Sequence, residues 1–344
     1  MWPTQPYRPA LERSRAPLAI LLVSAGLVLA VAAGAIWSIR SAHPITSAYS
    51  TGEQGAQLWV SDAQGAFSAE AVPRPGPGSN DAELAYDPST RTDLLWDHGC
   101  SRLVLGFTGG CTDSVNATWT WAGGSWQRQP GAGAPVQSGS GALFYDPQAG
   151  HLVYASGAGS LWQWTGSAWA GLALPGGPGV HAGSLVAAGF DLDRGLLVLV
   201  LRSATWSFDG ARWTSVPSAP DGSDLRPDAK LVDDRAGRQL VYLGRRFSWS
   251  WDGAGWTPQE QPPLEVAAAV FDPVRGAVVL VQEDSTACDR ATCGTTLWTR
   301  TGSGWSRADS RAAPRLPVAR SSAADPPIAF DEARGAILLF VSSA

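Results

Sequence analysis

Residues 205–213 read TWSFDGARW, and this arrangement of aromatic residues around a short turn recurs along the chain. Trp206 and Phe208 are two positions apart, which places both side chains on one face of a β-strand. Asp209 and Gly210 favour a tight turn, after which Trp213 opens the next strand. Four other segments follow the same plan and end on Trp126, Trp169, Trp256 and Trp305. The five closing Trp residues are 43, 44, 43 and 49 positions apart, which indicates a repeat protein.

A second pattern precedes each copy of the first. An apolar strand ends on Asp, a short turn follows, and another apolar strand begins. The strand endings are Tyr86-Asp87, Tyr145-Asp146, Phe190-Asp191, Val232-Asp233, Phe271-Asp272 and Phe330-Asp331. Gly closes most of the turns, at Gly150, Gly195, Gly237, Gly276 and Gly335. We expect the six carboxylates to cap these turns, and the Trp side chains to pack between repeats rather than to bind a ligand.

Four short strands in a unit of this size are typical of one blade of a β-propeller. Five units are complete, whereas the C-terminus supplies only the first two strands of another unit, around residues 327–331 and 337–340. Residues 58–62, together with Phe67, resemble the missing third and fourth strands. The sequence therefore predicts an all-β fold over residues 57–344. The predicted fold is a propeller of about six blades, although any number from five to seven fits the sequence. Its closure blade is built from both ends.

The two patterns resemble those of Kelch-like propellers of the galactose-oxidase central-domain type. Residues 205–213 and residues 268–273, AAVFDP, carry the resemblance, which covers roughly residues 55–344. The sequence departs from the family's second strand, since the paired Gly residues are mostly absent, as at residues 243–246 and 281–284. The resemblance implies a propeller with degenerate repeats. Copper chemistry of the galactose oxidase type needs Cys, Tyr and His ligands, and His43, His98, His151 and His181 show no ligand spacing.

Residues 16–39 contain no charged side chain, and an apolar segment of this length can cross a bilayer as a helix. Arg8, Arg13 and Arg15 precede it, so residues 1–15 are expected to stay in the cytoplasm. A cleaved signal peptide is the alternative, because the small residues at positions 30–35 could form a cleavage site. Either interpretation places the linker, residues 40–56, and the propeller outside the cytoplasm. We predict a single-pass membrane protein anchored by residues 16–39.

The four Cys residues are Cys100, Cys111, Cys288 and Cys293. Three pairings are possible, and the local one, Cys100 with Cys111 and Cys288 with Cys293, is favoured because each pair falls within one loop. Outside the cytoplasm both pairs are expected to be oxidised. Each pair lies between the second and third strands of its blade. Those loops share one propeller face with the connections between blades, so this face is predicted to be the elaborated one.

No set of residues in the sequence resembles a catalytic centre, and no cofactor or metal is predicted. The net charge of −5 argues against nucleic acid as a partner, since phosphate binding needs clustered Lys and Arg. We expect a monomeric binding or scaffolding module whose loop-bearing face contacts a protein or a cell-envelope glycan. The alternative is a cell-surface propeller enzyme, either a glycoside hydrolase or a galactose-oxidase-like protein. Sialidase-like hydrolysis would need a Tyr nucleophile, but Tyr86, Tyr145, Tyr154 and Tyr242 all fall within the strand pattern.

Overall fold

The computed structural model describes residues 56–72, 77, 82–98, 100–104, 110–122, 124–133, 135, 141–178, 185–217, 229–244, 247–261, 266–289, 292–302, 304–308, 313–317 and 325–341. For residues 100–104, 110–114 and 285 it describes the backbone alone. The described part contains 27 strands and no helix, and hence no helix that could cross a membrane. The predicted tail and anchor, and the linker up to residue 55, lie outside the described residues.

The strands form six blades, each an antiparallel sheet of four strands. The first two, β1 (Gln57–Ser61) and β2 (Phe67–Ala71), belong to blade 6, which the C-terminus completes. Blade 1 contains β3 (Ala82–Asp87), β4 (Thr92–Asp97), an inserted hairpin of β5 (Cys100–Val104) and β6 (Gly110–Ser114), then β7 (Ala117–Ala122) and β8 (Ser125–Arg128). Blade 2 contains β9 (Ala142–Asp146), β10 (His151–Ala155), β11 (Leu161–Trp164) and β12 (Trp169–Leu172).

Blades 3 to 6 continue the same order along the chain. Blade 3 contains β13 (Leu185–Asp191), β14 (Leu196–Leu201), β15 (Ala204–Phe208) and β16 (Trp213–Pro217). Blade 4 contains β17 (Lys230–Asp234), β18 (Gln239–Leu243), β19 (Ser248–Trp251) and β20 (Trp256–Gln259). Blade 5 contains β21 (Val266–Asp272), β22 (Ala277–Cys288), β23 (Thr292–Thr301) and β24 (Gly304–Arg307), with β25 (Leu316–Pro317) paired to β23. Blade 6 adds β26 (Ile328–Asp331) and β27 (Ala336–Val341).

The blades form a closed ring. The first strand of each blade lies beside the first strands of both neighbouring blades. Six apolar clusters fill the six spaces between adjacent blades, including the space between blades 6 and 1. The prediction of a six-bladed propeller is therefore confirmed. We call the face with the turns between strands one and two the turn face. The opposite face, with the loops between strands two and three and the connections between blades, is the loop face.

Blade 6 is built from both ends of the described chain, as the sequence predicts. Its strand order is β2-β1-β27-β26, so a strand from residues 57–61 lies between strands from residues 67–71 and 336–341. Leu58 is opposite Phe340 and Trp59 is opposite Leu339. The Ile337 amide also donates a hydrogen bond of 2.8 Å to the Ser61 hydroxyl.

A buried Asp ends the first strand of each blade and caps the turn that follows. Asp146, for example, accepts hydrogen bonds from the amides of Gln148 (2.8 Å) and Ala149 (3.1 Å). The six caps are Asp87, Asp146, Asp191, Asp234, Asp272 and Asp331. The predicted role is confirmed for the five caps outside blade 4.

The assignment of Asp233 as the cap of blade 4 is wrong by one residue. Asp234 is the last residue of β17 opposite Gln239, and its carboxylate accepts a hydrogen bond of 3.0 Å from the Gly237 amide. The left-handed residue of this turn is Arg238, with φ of 54°, and not Gly237. The physical reason is that β17 continues one residue further before it turns. Asp233 therefore takes the position that precedes the cap, which holds Tyr or Phe in the other five blades.

The Trp residue that opens a fourth strand reaches back to the preceding blade. The indole N–H of Trp169 in blade 2 donates to the hydroxyl of Thr118 in blade 1 at 2.9 Å. The indole N–H of Trp256 in blade 4 donates to Thr205 in blade 3, also at 2.9 Å. These contacts confirm that the Trp residues pack between blades, and they show that Thr on the third strand satisfies a buried donor there.

Leu replaces this Thr in three blades. Leu58 packs in the same cluster as Trp126, and Leu161 packs in the same cluster as Trp213. Within the described residues the indole nitrogens of these two Trp residues have no hydrogen-bond partner. The third replacement, in blade 5, causes no such loss because blade 6 has Phe67 in place of Trp. The interfaces therefore differ in polar chemistry although the backbone pattern repeats.

The interface between blades 6 and 1 contains a buried acid. Asp93 occupies the second-strand position that holds Leu, Val or Ile in the other five blades, and it is only 2% exposed. Burial and the nearby Asp331 carboxylate raise the pKa of Asp93 to about 7, although Arg334, 4.0 Å away, opposes this. Arg334 also lies over the Trp121 ring, 4.7 Å from its centre. The closure interface thus retains a proton near neutral pH.

Removal of β27 is expected to unfold the whole propeller. Deletion of residues 335–344 takes away the strand that pairs with both β1 and β26, and it opens two interblade clusters. We expect no cooperative thermal transition by near-ultraviolet circular dichroism. Deletion of residues 1–55 is the control and should keep the transition. A full transition after deletion of residues 335–344 would refute closure through blade 6.

Stability is expected to fall as the pH rises from about 4 to about 7 and to level off above pH 7. In this range folded Asp93 keeps a proton that the unfolded chain, with its ordinary pKa of 3.8, has released. The loss is on the order of a few kcal/mol. Asp93→Leu should raise the free energy of unfolding at pH 8 and flatten this slope relative to the unsubstituted protein.

Urea unfolding of both proteins between pH 4 and pH 8 measures the effect. Asp233, whose pKa burial raises to about 6, adds a slope of the same sign in both proteins. The informative quantity is therefore the difference between their curves. A difference that does not change with pH would show that Asp93 is not the group responsible.

Candidate functional site

Blade 5 has a hairpin that continues past the blade on the loop face. The pairing of β21 with β22 ends at Gln282, and the pairing of β23 with β24 begins at Trp298. Beyond these residues β22 and β23 pair only with each other and with β25. We call residues 283–289, 292–296 and β25 the stapled arm. A disulfide between Cys288 and Cys293 closes its tip, which confirms that predicted pair.

Side chains hold the stapled arm in one arrangement. The Arg315 guanidinium lies 2.8 Å from an Asp289 carboxylate oxygen and donates at 2.8 Å to the Thr292 hydroxyl. The Thr295 hydroxyl donates to the Pro314 carbonyl at 2.6 Å. The segment around β25 therefore supports the hairpin from one side. These contacts and the disulfide make the stapled arm a preorganised projection.

Blade 1 has the other inserted hairpin, β5–β6, between its second and third strands. Its backbone register pairs Cys100 with Ser114 and Cys111 with Leu103. The side chains of both Cys residues lie outside the part that the structure describes. The Cys100–Cys111 disulfide therefore stays a prediction. Blades 1 and 5 flank blade 6, so the two insertions rise on either side of the closure blade.

Two large apolar side chains are exposed in the described part of the chain, one on each face. Phe247 is 43% exposed and lies between β18 and β19, so it belongs to the loop face. Val274 is 59% exposed and lies in the turn between β21 and β22, so it belongs to the turn face. An exposed aromatic ring beside a rigid projection is typical of a protein-binding surface.

The two Cys residues of the stapled arm do not form a metal centre in the described part of the chain. Glu283, Cys288 and Cys293 lie close together, but the two sulfur atoms are already joined in a disulfide and are not thiolate ligands. Of the four His residues, His98 packs on the Trp96 ring in blade 1, and His151 begins β10 in blade 2. His43 and His181 lie outside the described residues.

The turn-face ends of the innermost strands surround a cavity of about 340 Å³, which we call the channel-mouth cavity. Tyr145 and Pro147 of blade 2, with Phe190 of blade 3, form much of its apolar wall. Other walls come from blades 1, 4 and 6. This volume lies near the lower end of the range for small-ligand sites, roughly 300–1,000 Å³. The cavity forms only because the ring closes.

Three charged side chains meet at this cavity. The Arg235 guanidinium of blade 4 lies 3.5 Å from Asp233 and 3.4 Å from Glu332 of blade 6. It also lies 6.0 Å from the centre of the Phe271 ring of blade 5. The Leu192 amide donates to Asp233 at 3.3 Å. Burial raises the pKa of Asp233 to about 6, while the Leu192 amide and Arg235 oppose this.

These cavity residues carry no recognisable site pattern in the sequence. Asp233 follows an apolar strand as a turn cap would, Tyr145 belongs to a predicted strand, and Arg235 and Glu332 belong to no motif. One signal was available: a comparison of the six residues before the Asp caps would show five aromatic rings and one carboxylate, once the turn in blade 4 is placed correctly.

No protein-family model and no curated protein matches this chain. Among solved structures, that of YjhT is 13% identical, with 71% of this chain and 87% of that chain covered and a TM-score of 0.47. YCF48 bound to a D1 peptide is 12% identical, with 79% and 94% covered and a TM-score of 0.41. The GH74 enzyme of Niastella koreensis is 14% identical, with 69% and 38% covered and a TM-score of 0.42.

Similarity at this level carries no functional argument. The propeller assignment rests on the closed ring of six blades, and the Kelch-like subtype stays a prediction.

Proposed function

We propose that the protein is a monomeric, membrane-anchored binding module that holds a partner protein on the loop face of an extracytoplasmic propeller. The stapled arm is the observation that carries this proposal. Neither the disulfide nor the Arg315 contacts lie in the interblade clusters that close the ring. Leu316 of β25 packs in the cluster between blades 5 and 6 and so holds the base of the arm. The tip is ordered by its own crosslink outside that cluster, and such a tip is best explained by binding.

Phe247 supports a protein as the partner. An aromatic ring that is 43% exposed loses contact with water when a partner covers it, and such residues often dominate the affinity of protein interfaces. Phe247 and the stapled arm belong to the same face and to the neighbouring blades 4 and 5. A cell-envelope glycan is the other outcome that the binding experiment can reveal.

The placement outside the cytoplasm has two independent supports. The uncharged segment 16–39 follows three Arg residues, and the Cys288–Cys293 disulfide persists in oxidising compartments. The direction of β1 is a separate point. This strand runs from Gln57 on the loop face to Ser61 beside the turn to β2. The chain therefore enters the ring on the face that carries the stapled arm.

Two carboxylates converge at the channel-mouth cavity within the described residues, but their surroundings do not favour a propeller enzyme. Asp233 and Glu332 both face the channel-mouth cavity, as an acid and base pair of a glycosidase would. The same Arg235 guanidinium lies within ion-pair distance of both. The guanidinium therefore lies between the two carboxylates, where a glycosidase places the bond that it cleaves.

The membrane anchor and the cleaved signal peptide predict different mature proteins. With an anchor, the membrane fraction should hold the full 36.0 kDa chain after an alkaline wash, and a membrane-impermeant label should reach the propeller in intact cells. Mass spectrometry and labelling measure both properties. A released protein cleaved near residues 30–35 would contradict the anchor, and a propeller labelled only after lysis would contradict the extracytoplasmic placement.

Phe247→Ala should weaken capture of the partner protein, by about tenfold or more if the ring is a central contact. The experiment is crosslinking and quantitative pull-down with the tagged full chain in its native envelope. Val274→Ala is the matched control, because it removes the other exposed apolar side chain from the opposite face. The proposal requires a protein that is lost with the first variant and kept with the second.

Equal recovery with both variants would overturn the role of the loop face. Recovery of envelope glycan without any protein would overturn the protein partner and favour the glycan.

A further inference from the structure

The channel-mouth cavity lies on the turn face, opposite the stapled arm, and its chemistry differs from that of the loop face. The position before each Asp cap holds an aromatic residue in five blades, at Tyr86, Tyr145, Phe190, Phe271 and Phe330. Two of them, Tyr145 and Phe190, line the cavity. Blade 4 has Asp233 instead, because its first strand turns one residue later. In blade 4 a carboxylate therefore takes the position of an aromatic ring, in the same cavity wall as Tyr145 and Phe190.

The Asp caps of blades 1 and 2 add negative charge on their side of the cavity. Four caps pair with a guanidinium: Asp191 with Arg194, Asp234 with Arg300, Asp272 with Arg275, and Asp331 with Arg334. Within the described residues no such pair forms at Asp87 or Asp146. The residues that follow these two caps, Pro88 and Pro147, line the cavity.

The charges around the cavity do not balance. Asp87, Asp146, Asp233 and Glu332 are carboxylates within or next to its wall, and against them stand Arg235 and, beside Tyr86, Arg91. The effect is visible at Tyr145, whose pKa is raised by burial and then by the charges of Asp87, Asp146 and Glu332. The cavity therefore favours a positively charged ligand.

We propose that the channel-mouth cavity binds an organic ammonium group. The ring of Tyr145 can receive the cation, the proline and leucine side chains can contact its carbon body, and Glu332 and Asp233 supply the opposite charge. An anion is disfavoured, since the Arg235 guanidinium is already within ion-pair distance of two carboxylates. The site lies on the other face from the proposed protein-binding surface, so the two proposals stand independently.

The ammonium group can come from a small amine or from a lysine side chain of a protein. A first arm titrates the full chain in detergent with benzylammonium, benzyl alcohol and benzoate, which share a ring and differ in charge. A second arm uses a capped pentapeptide with one lysine between glycines and its Nε-acetylated form. Saturation-transfer NMR and calorimetry measure the dissociation constants.

Benzylammonium should bind at least about fivefold more tightly than benzyl alcohol, and benzoate should bind weakest. Binding of the lysine peptide that acetylation abolishes would support a protein-borne lysine, and binding of benzylammonium alone would support a small amine. Equal binding of the three aromatic probes, or no binding of either cation, would overturn the proposal.

Two variants locate the site. Glu332→Gln removes a charge from a side chain that is 43% exposed, and Tyr145→Leu removes the aromatic face while it keeps an apolar wall. Each should weaken benzylammonium binding about fivefold to tenfold. Glu70→Gln is the control, because Glu70 is exposed on the outer strand β2. Thermal unfolding verifies that each variant is folded.

The proposal is overturned if both folded cavity variants bind benzylammonium as the unsubstituted protein does, or if the control weakens binding equally. Pull-down through the loop face should be unchanged in the cavity variants. A failure of ammonium binding with intact partner capture would therefore refute this site and leave the proposed function in place.

Discussion

The pairing of β1 with β27 joins strands from the two ends of the described chain, such as Val60 with Leu338, and completes the last of six blades. A blade cannot bury its apolar faces alone, because each cluster is formed by side chains from two adjacent blades. Without β27, the clusters on both sides of blade 6 would lose one wall. Closure also removes the open sheet edges that an incomplete ring would present. The other interfaces, both faces and the cavity at the axis all depend on this pairing.

The six interfaces share a backbone pattern but differ in how they satisfy buried polar groups. Two use a Trp-to-Thr hydrogen bond, one uses the Arg300–Asp234 ion pair, and the closure interface holds Asp93, whose pKa burial raises to about 7. The strand pairing and the apolar packing of a blade tolerate different polar side chains at its interfaces, provided that each buried donor or charge finds a partner nearby. This tolerance explains how repeats with little sequence identity form equivalent blades.

The two faces acquire their surfaces in different ways. The loop face gains residues by insertion between second and third strands, and the inserted hairpin of blade 5 extends beyond the pairing of its four strands. The turn face uses the repeat positions themselves, and one residue of shift in blade 4 replaces an aromatic ring with Asp233. One face of a propeller can therefore acquire a new surface by insertion of residues into its loops, and the other face can do so by substitution at single repeat positions.

Much of the fold was predictable because it is periodic. Trp206 and Phe208 share a strand face, Asp–Gly turns recur, and the incomplete units at the two ends complement each other. These are local properties of the backbone, and they repeat often enough to identify a propeller and its closure blade. The Cys288–Cys293 pair was predictable for another reason, since the two residues are close in sequence within one loop. The exact turn in blade 4 was missed because both Asp233 and Asp234 fit a strand ending.

The sequence alone thus determined the blades, their order and the closure by both ends. Only the tertiary structure decided that Arg235 of blade 4 meets Glu332 of blade 6, and that Tyr145 of blade 2 lines the same cavity. These residues are far apart in sequence, and no spacing links them. They meet because the first strands of the six blades are brought together around one axis, and this arrangement exists only once the ring has closed.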